Sequence, residues 1–299
     1  MKLFVTGVGG QLGYDVTIEA IRRGHACCGS DILPQAPEQM QKLGSDYAAL
    51  DITDAEAVQR AIKEARPDAV IHCAAWTAVD AAEDNSEKVM AINHQGTANI
   101  AAACRAIDAK MLYISTDYVF NGEGTMPWKP DCTEYAPVNV YGESKLRGEL
   151  AVKQLVEKMF IVRTAWVFGE NGNNFVKTML RLGATHPQLR VVNDQIGTPT
   201  YTPDLARLIV DMIETEKYGI YHATNEGGYI SWYEFACEIL NAAGSSTEVI
   251  PVSTAEYGLS KAKRPFNSRL DKSKLAETGF KPLPEWKDAL DRFLSAQTL

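Results

Sequence analysis

Residues 2–13 run Lys2-Leu3-Phe4-Val5-Thr6-Gly7-Val8-Gly9-Gly10-Gln11-Leu12-Gly13. Lys2 to Thr6 reads as a short buried strand, and a helical pattern follows the glycines to about Arg23. Gly7, Gly10 and Gly13 fit the spacing G-x-x-G-x-x-G, with Gln11 and Leu12 completing the turn. Glycines there permit a tight turn and close approach of a pyrophosphate. The helix that follows offers free N–H groups and the positive end of its dipole. The glycine spacing alone is a weak signal, but strand, glycine turn and helix together predict a dinucleotide site.

The chain beyond keeps alternating. His25 to Gly29 reads as a second strand ending at Asp31, 18 positions past Gly13, where a carboxylate can accept hydrogen bonds from an adenosine ribose. The competing reading of Asp31 is an ordinary loop aspartate. Tyr47 to Leu50 reads as a third strand, with Asp51 and Ile52 placed to flank an adenine. Thr53 or Asp54 can cap a helix over 55–65. Ala69 to Ala75 reads as a fourth strand, and the small Ala74 and Ala75 let a cofactor pass closely. A helix over 91–106, with Asn93 near its start, precedes a fifth strand over 110–115. This alternation predicts an α/β fold, a Rossmann-type doubly wound parallel sheet. Its ligands lie at the carboxyl ends of the strands.

Two further features fall at those ends. Tyr141 and Lys145 are four apart, hence on one face of a helix. A free phenol titrates near ~10, and a cation beside it favours the phenolate. Lys145, with an oxidised nicotinamide, can supply that cation, so the pair can trade a proton with an alcohol or carbonyl oxygen. Thr116, 25 residues upstream, closes the fifth strand with a hydroxyl able to hydrogen-bond the reacting oxygen; Ser115 is the alternative donor. Taken singly, Tyr141 and Lys145 read as a solvated helix face and Thr116 as a turn residue. The glycine turn makes the three a candidate catalytic set.

Composition sets bounds. With 299 residues the chain can bury a large core in one domain or two interleaved ones. The net charge of −8 argues against a nucleic-acid partner. No apolar run approaches the ~20 residues needed to span a bilayer, and residues 2–6 are too short for a signal peptide; a cytoplasmic protein with no membrane partner is expected. The six cysteines include no C-x-x-C and read as reduced thiols, and the five histidines include no H-x-x-x-H pair suited to zinc.

The motifs resemble those of the extended short-chain dehydrogenase/reductase superfamily and, within it, the dTDP-4-dehydrorhamnose reductase family. The resemblance runs nearly end to end. It rests on Gly7 to Gly13, Ala74-Ala75-Trp76-Thr77-Ala78-Val79-Asp80, Ser115-Thr116-Asp117-Tyr118-Val119-Phe120, Tyr141 with Lys145, Arg163-Thr164-Ala165-Trp166, Asp194 to Thr200, and Arg264-Pro265 leading to Asn267 to Leu270. It implies that Thr116, Tyr141 and Lys145 are catalytic, and that Thr77, Val79, Tyr118 and Trp166 lie near a nucleotide-sugar. Arg264, more than Arg269, would clamp its diphosphate. Trp76 stands where the family usually has tyrosine, and Ala165 where serine is common, which leaves the reaction intact and puts fine sugar contacts in doubt. The resemblance also implies NADPH use, whereas Asp31, with no base in its neighbourhood, leans to NADH. Some members of the family bind magnesium through carboxylates at a subunit interface. Asp15 matches one of those positions, which would imply a homodimer; the competing reading is a surface aspartate near the helix dipole's positive end.

Past Tyr141 strict alternation ends. Strands are expected over 160–168, 189–192, 218–224 and 247–252, and helices over 173–182, 204–214, 231–243 and 285–294. This predicts a smaller, interleaved C-terminal substrate lobe: 1–168 plus 198–226 for the dinucleotide, 169–197 plus 227–299 for the nucleotide-sugar. Three rival functions share the fold. A nucleotide-sugar 4,6-dehydratase usually carries an Asp-Glu pair after the threonine, but here that slot reads Asp117-Tyr118. A 4-epimerase keeps the catalytic set but fits Tyr118 to Phe120 less well. A non-catalytic regulatory subunit of methionine adenosyltransferase keeps the fold without needing Thr116, Tyr141 and Lys145.

Overall fold

The structure, a computed structural model, describes residues 1–297. Six strands, β1 (Lys2–Thr6), β2 (Ala26–Asp31), β3 (Asp46–Ala49), β4 (Ala69–His72), β5 (Lys110–Thr116) and β6 (Met159–Thr164), join Gly219–His222 in one seven-stranded sheet. From one edge the order is Gly219–His222, β6, β5, β4, β1, β2, β3, and every pairing is parallel. Direction along the sheet reverses at β1, between β4 and β2, which opens a crevice at the strands' carboxyl ends.

Two-residue alternation divides the core. Leu3 and Val5 face one side, with Val16 and Ala20 of the Gln11–Arg22 helix and Leu205 and Ile209 of the Thr202–Ile213 helix. Phe4 faces the other, with Ile62, Val70, Ile100, Met111 and Val152. Both faces of β1 are thus covered, which explains its unbroken apolar sequence. Full burial of each such side chain contributes roughly 1.5–3 kcal/mol.

A third cluster, including Phe168, Val176, Val191, Tyr201, Phe235, Ile239, Trp286 and Phe293, gathers much of the second half. Beside it Glu248–Val252 pairs in parallel with Gln188–Val192. Ser231 caps the Trp232–Ala242 helix through a full capping box with Glu234. Tyr201 and Trp286 are core residues there.

Two expected elements are broken. The strand over 160–168 splits into β6 and Val167–Phe168, because Trp166 adopts a left-handed φ of 51°. The helix over 91–106 begins as a wider π-helical turn, Ala91–Gly96, before the regular Thr97–Ala106. That turn carries Asn93, which is fully buried and bonded outward to other segments. All six cysteines are free, and among the described residues no helix is long and apolar enough to cross a membrane.

Candidate active site

The glycine turn is built for close approach. Gly7 has φ +73°, and a Cβ there would lie 2.6 Å from the Ala74 nitrogen; at Gly13 a Cβ would lie 2.2 Å from the Gly7 carbonyl oxygen. Ala74 N–H donates to Thr6 Oγ1 at 3.2 Å, fixing the end of β4 beside the turn. Gly10 occupies the N-cap of the Gln11–Arg22 helix without a side-chain cap. The first N–H groups of that helix therefore remain available to an anion, and the turn fits a dinucleotide's pyrophosphate.

Across the turn lies a strap from the second half of the chain. Asn171 Nδ2 donates to the carbonyls of Gly9 and Gly10 at 3.0 and 3.1 Å, and Asn174 Nδ2 donates to Gln11 Oε1 at 3.0 Å. The sequence reading missed both; a polar Gly-Asn loop marks itself only as a loop, and its partners lie some 160 residues away.

Asp31 ends β2, as expected, but its carboxylate is already engaged. Oδ2 accepts the Gly9 N–H at 2.8 Å, while Oδ1 accepts those of Ile32 and Leu33 at 2.7 and 2.9 Å. Three of the carboxylate's roughly four acceptor positions are thus filled by backbone. Asp51 is exposed and accepts from the backbone and hydroxyl of Thr53, whereas Ile52 is buried against Gly96. Asp54, not Thr53, caps the Ala55–Ala65 helix.

Thr116, Tyr141 and Lys145 converge. Thr116, at the tip of β5, donates to Asp117 Oδ1 at 3.0 Å and accepts the Tyr118 N–H at 3.2 Å, and its hydroxyl lies near the Tyr141 phenol. Tyr141 and Lys145 lie on the Val140–Leu155 helix, which Asn139 caps through the Gly142 N–H. Burial pushes the Tyr141 phenol well up from its ordinary value; the nearby Thr116 hydroxyl opposes this, and Asp117 and Tyr118 push it further. Burial pushes Lys145 down to about 7, with Glu149 and Cys73 acting in the opposite direction. The Lys145 ammonium stands 4.1 Å from the centre of the Tyr113 ring. Burial is the largest influence on the Tyr141 phenol.

Asn93 ties the parts together. It accepts the Trp76 N–H at 2.7 Å and donates to the Trp76 carbonyl and to Ser144 Oγ, whose own hydroxyl donates to the Tyr141 carbonyl. Asp117 is buried, is raised to about 6 chiefly by that burial, and has Oδ2 without a hydrogen-bond partner.

Around this set, the Tyr118 ring meets Tyr141 edge-on at 5.6 Å. Trp166 stacks on Trp232 with ring centres 3.7 Å apart. Arg264 donates to Tyr118 Oη at 3.4 Å and pairs with Asp80 at 2.6 Å, so the guanidinium stays near the site through a carboxylate. Thr77 is exposed and Val79 begins a short helix, Val79–Ala82, on the segment after β4. Arg269 instead donates to Asn267.

Asp15 is buried, which corrects its reading as a surface aspartate. Burial raises it to about 6, with Thr202 acting in the opposite direction and Glu170 raising it further, and its Oδ2 has no hydrogen-bond partner. Among the described residues no three His, Cys, Asp or Glu side chains are grouped to hold a metal.

A doubly wound parallel sheet, an uncapped glycine turn and a Thr–Tyr–Lys set at the strand ends define a nicotinamide-dependent oxidoreductase of the short-chain dehydrogenase/reductase type. The chain belongs to the family described as the RmlD substrate binding domain, which matches residues 1–299. It is 41% identical over 295 residues to a dTDP-4-dehydrorhamnose reductase of Streptomyces griseus, covering 97% of this chain and 91% of that one. It is 38% identical over 297 residues to the spore coat polysaccharide biosynthesis protein SpsK of Bacillus subtilis, covering 99% and 98%. Among solved structures, the dTDP-4-dehydrorhamnose reductase of Bacillus anthracis in complex with NADP shares 42% identity over 99% of both chains, with a TM-score of 0.90. A Thermus thermophilus UDP-glucose 4-epimerase, at 23% identity and TM-score 0.83 over 99% and 98% of the two chains, shares the fold.

Proposed function

We propose that this protein reduces the 4-keto group of a nucleotide-sugar, dTDP-4-dehydro-L-rhamnose, to give dTDP-L-rhamnose with NADPH or NADH. The observation that carries the reading is the convergence of Thr116, Tyr141 and Lys145 at the strand ends of a chain similar throughout its length to dTDP-4-dehydrorhamnose reductases. Gly7, Gly10, Gln11, Leu12 and Gly13 hold the pyrophosphate, Ala74 and Ala75 flank its path, and Asp31, Asp51 and Ile52 border the adenosine. When bound, the nicotinamide supplies the hydride. Tyr141 gives its proton to the developing alkoxide as general acid. Thr116 hydrogen-bonds the same oxygen and orients it. Lys145 holds the nicotinamide ribose and, when charged, supports the phenolate left behind. Tyr118, Trp166, Thr77 and Val79 shape the sugar site.

In the same reading residues 169–197 and 227–299 form the substrate lobe and Arg264 swings from Asp80 to the substrate diphosphate. A homodimer belongs to the proposal too and is tested by sedimentation. The dehydratase is disfavoured because Tyr118 occupies the slot of its second carboxylate, and the purely regulatory subunit because the proton-transfer set is intact. Mixing the protein with NADPH, then NADH, and the 4-keto-sugar should consume nicotinamide absorbance. Incubation with dTDP-glucose and NAD should give no 4-keto-6-deoxy product; its appearance would reverse the assignment.

A further inference from the structure

Beneath the Tyr141–Lys145 face, one further turn along the helix, lies a buried ion pair that the mechanism above does not use. Tyr141, Lys145 and Glu149 are spaced i, i+4, i+8 on Val140–Leu155. Glu149 and Arg163 both have fully buried side chains. Arg163 grips the carboxylate with two prongs, Nε to Oε1 at 2.8 Å and Nη2 to Oε2 at 2.7 Å. Ser115 Oγ donates to the same Oε1 at 2.5 Å.

Ser115 and Arg163 are register partners on β5 and β6, and Thr116, the next residue of β5, pairs with Thr164. Glu149 is therefore bonded to both strands one residue before the reacting threonine, and to the helix two turns after the reacting tyrosine. The rest of the guanidinium is held as well: Nη2 donates to Tyr135 Oη at 3.0 Å and Nη1 to the Pro130 carbonyl at 3.3 Å, with the Phe120 ring centre 5.0 Å away. His222, within 3.4 Å of Nη1, is kept neutral by its burial and by Arg163. A buried ion pair stabilises a fold little compared with apolar residues of the same volume, so stability alone does not account for one here.

We propose that Glu149 is a positioning residue of the reaction: clamped by Arg163 and Ser115, it fixes the Tyr141–Lys145 helix against the Thr116 strand end and sets a carboxylate one helical turn from the Lys145 amine. The inference rests on the reading of Thr116, Tyr141 and Lys145 as the proton-transfer set. The groups facing Lys145 support the second part. From β4 and its end come His72, lowered to about 3 by burial and by Lys145 itself, and Cys73, raised to about 12 by burial. From β5 comes Tyr113, raised well above its ordinary value chiefly by burial, and from the same helix Tyr141, raised likewise. All four are uncharged near neutrality. Glu149 is the carboxylate acting on Lys145.

The test is Glu149→Gln, with Glu149→Gln/Arg163→Gln as the partner variant should the lone guanidinium prevent folding. Two readouts are taken. In the cofactor-free protein, the Lys145 Cε resonance, assigned by comparison with Lys145→Arg, is titrated by NMR. In the full reaction, kcat/KM is followed against pH. Loss of the carboxylate should move the Lys145 titration to lower pH by roughly one unit, and the alkaline limb of the activity profile with it, a change of about tenfold at a fixed alkaline pH. A merely structural pair would lower the melting temperature and leave both titrations where they were, and that result overturns the proposal. The NMR readout needs neither substrate nor cofactor, so it stands even if wild-type protein fails to reduce the 4-keto-sugar, an outcome that would instead sink the function proposed above.

Discussion

The Asp31 carboxylate accepts the Gly9 amide at 2.8 Å, so the acidic residue at the end of β2 is a brace of the glycine turn. With Ile32 and Leu33 also bonded to it, its removal should loosen the turn for any dinucleotide. Asp31→Ala is expected to raise KM for NADH and NADPH together by about tenfold, ~1.4 kcal/mol, with their ratio changing less than about threefold. Steady-state kinetics with both cofactors in one buffer check this. A rise confined to NADH would show that the carboxylate reads the ribose.

Tyr141→Phe removes the proton that the alkoxide needs and keeps the ring that packs edge-on against Tyr118. Turnover should fall by ~10² or more while cofactor affinity, measured by fluorescence titration, stays within about twofold. Near wild-type turnover would dismiss Tyr141 as the acid.

Burial disfavours the charged form of Lys145, and below neutrality that has a cost. Its folded value lies near 7, below the unfolded 10.5, so the native state binds fewer protons between those limits and stability rises with pH across them. Lys145→Met should therefore be more stable than wild type at and below pH ~7, by about 2 kcal/mol, and the gain should fade towards pH ~10. Denaturant midpoints at three pH values measure it, and activity should be lost at all of them. A destabilised variant below pH ~7 would contradict the burial argument.

Asp15 gives the opposite sign. Its folded value of about 6 lies above the unfolded 3.8, so the native state holds the extra proton and stability falls as pH rises between them. Asp15→Asn should raise the melting temperature at pH ~7, by an amount equivalent to about 1–2 kcal/mol, and should change it little at pH ~4. Scanning calorimetry with and without a chelator is the check. A chelator-sensitive melting temperature in wild type alone would restore a cation to this position.

What the sequence revealed was what is encoded locally. Gly7 to Gly13 and the four-residue step from Tyr141 to Lys145 carry their geometry in their own spacing, and the alternation of β1 to β5 with helices identified the sheet. Roles set by distant partners stayed hidden. Asp31 was placed correctly at the end of its strand, yet its bond to Gly9 depends on how the turn folds back over β2. Asn171, Glu149 and Arg163 are ordinary polar residues until folding brings partners distant in sequence within reach. The break at Trp166 was invisible because an apolar run gives no sign of a left-handed residue within it.

The strap of Asn171 and Asn174 has a consequence for biosynthesis. A nascent chain of 168 residues contains six of the seven sheet strands and all of the glycine turn, but neither Asn171 nor Asn174, which pin that turn from the other side. The nucleotide pocket is thus finished late, by a contact of long sequence separation that forms only after its local parts exist. A truncated nascent chain would have the shape of a dinucleotide-binding protein before it had the grip of one, which would postpone cofactor capture until the second half had been made.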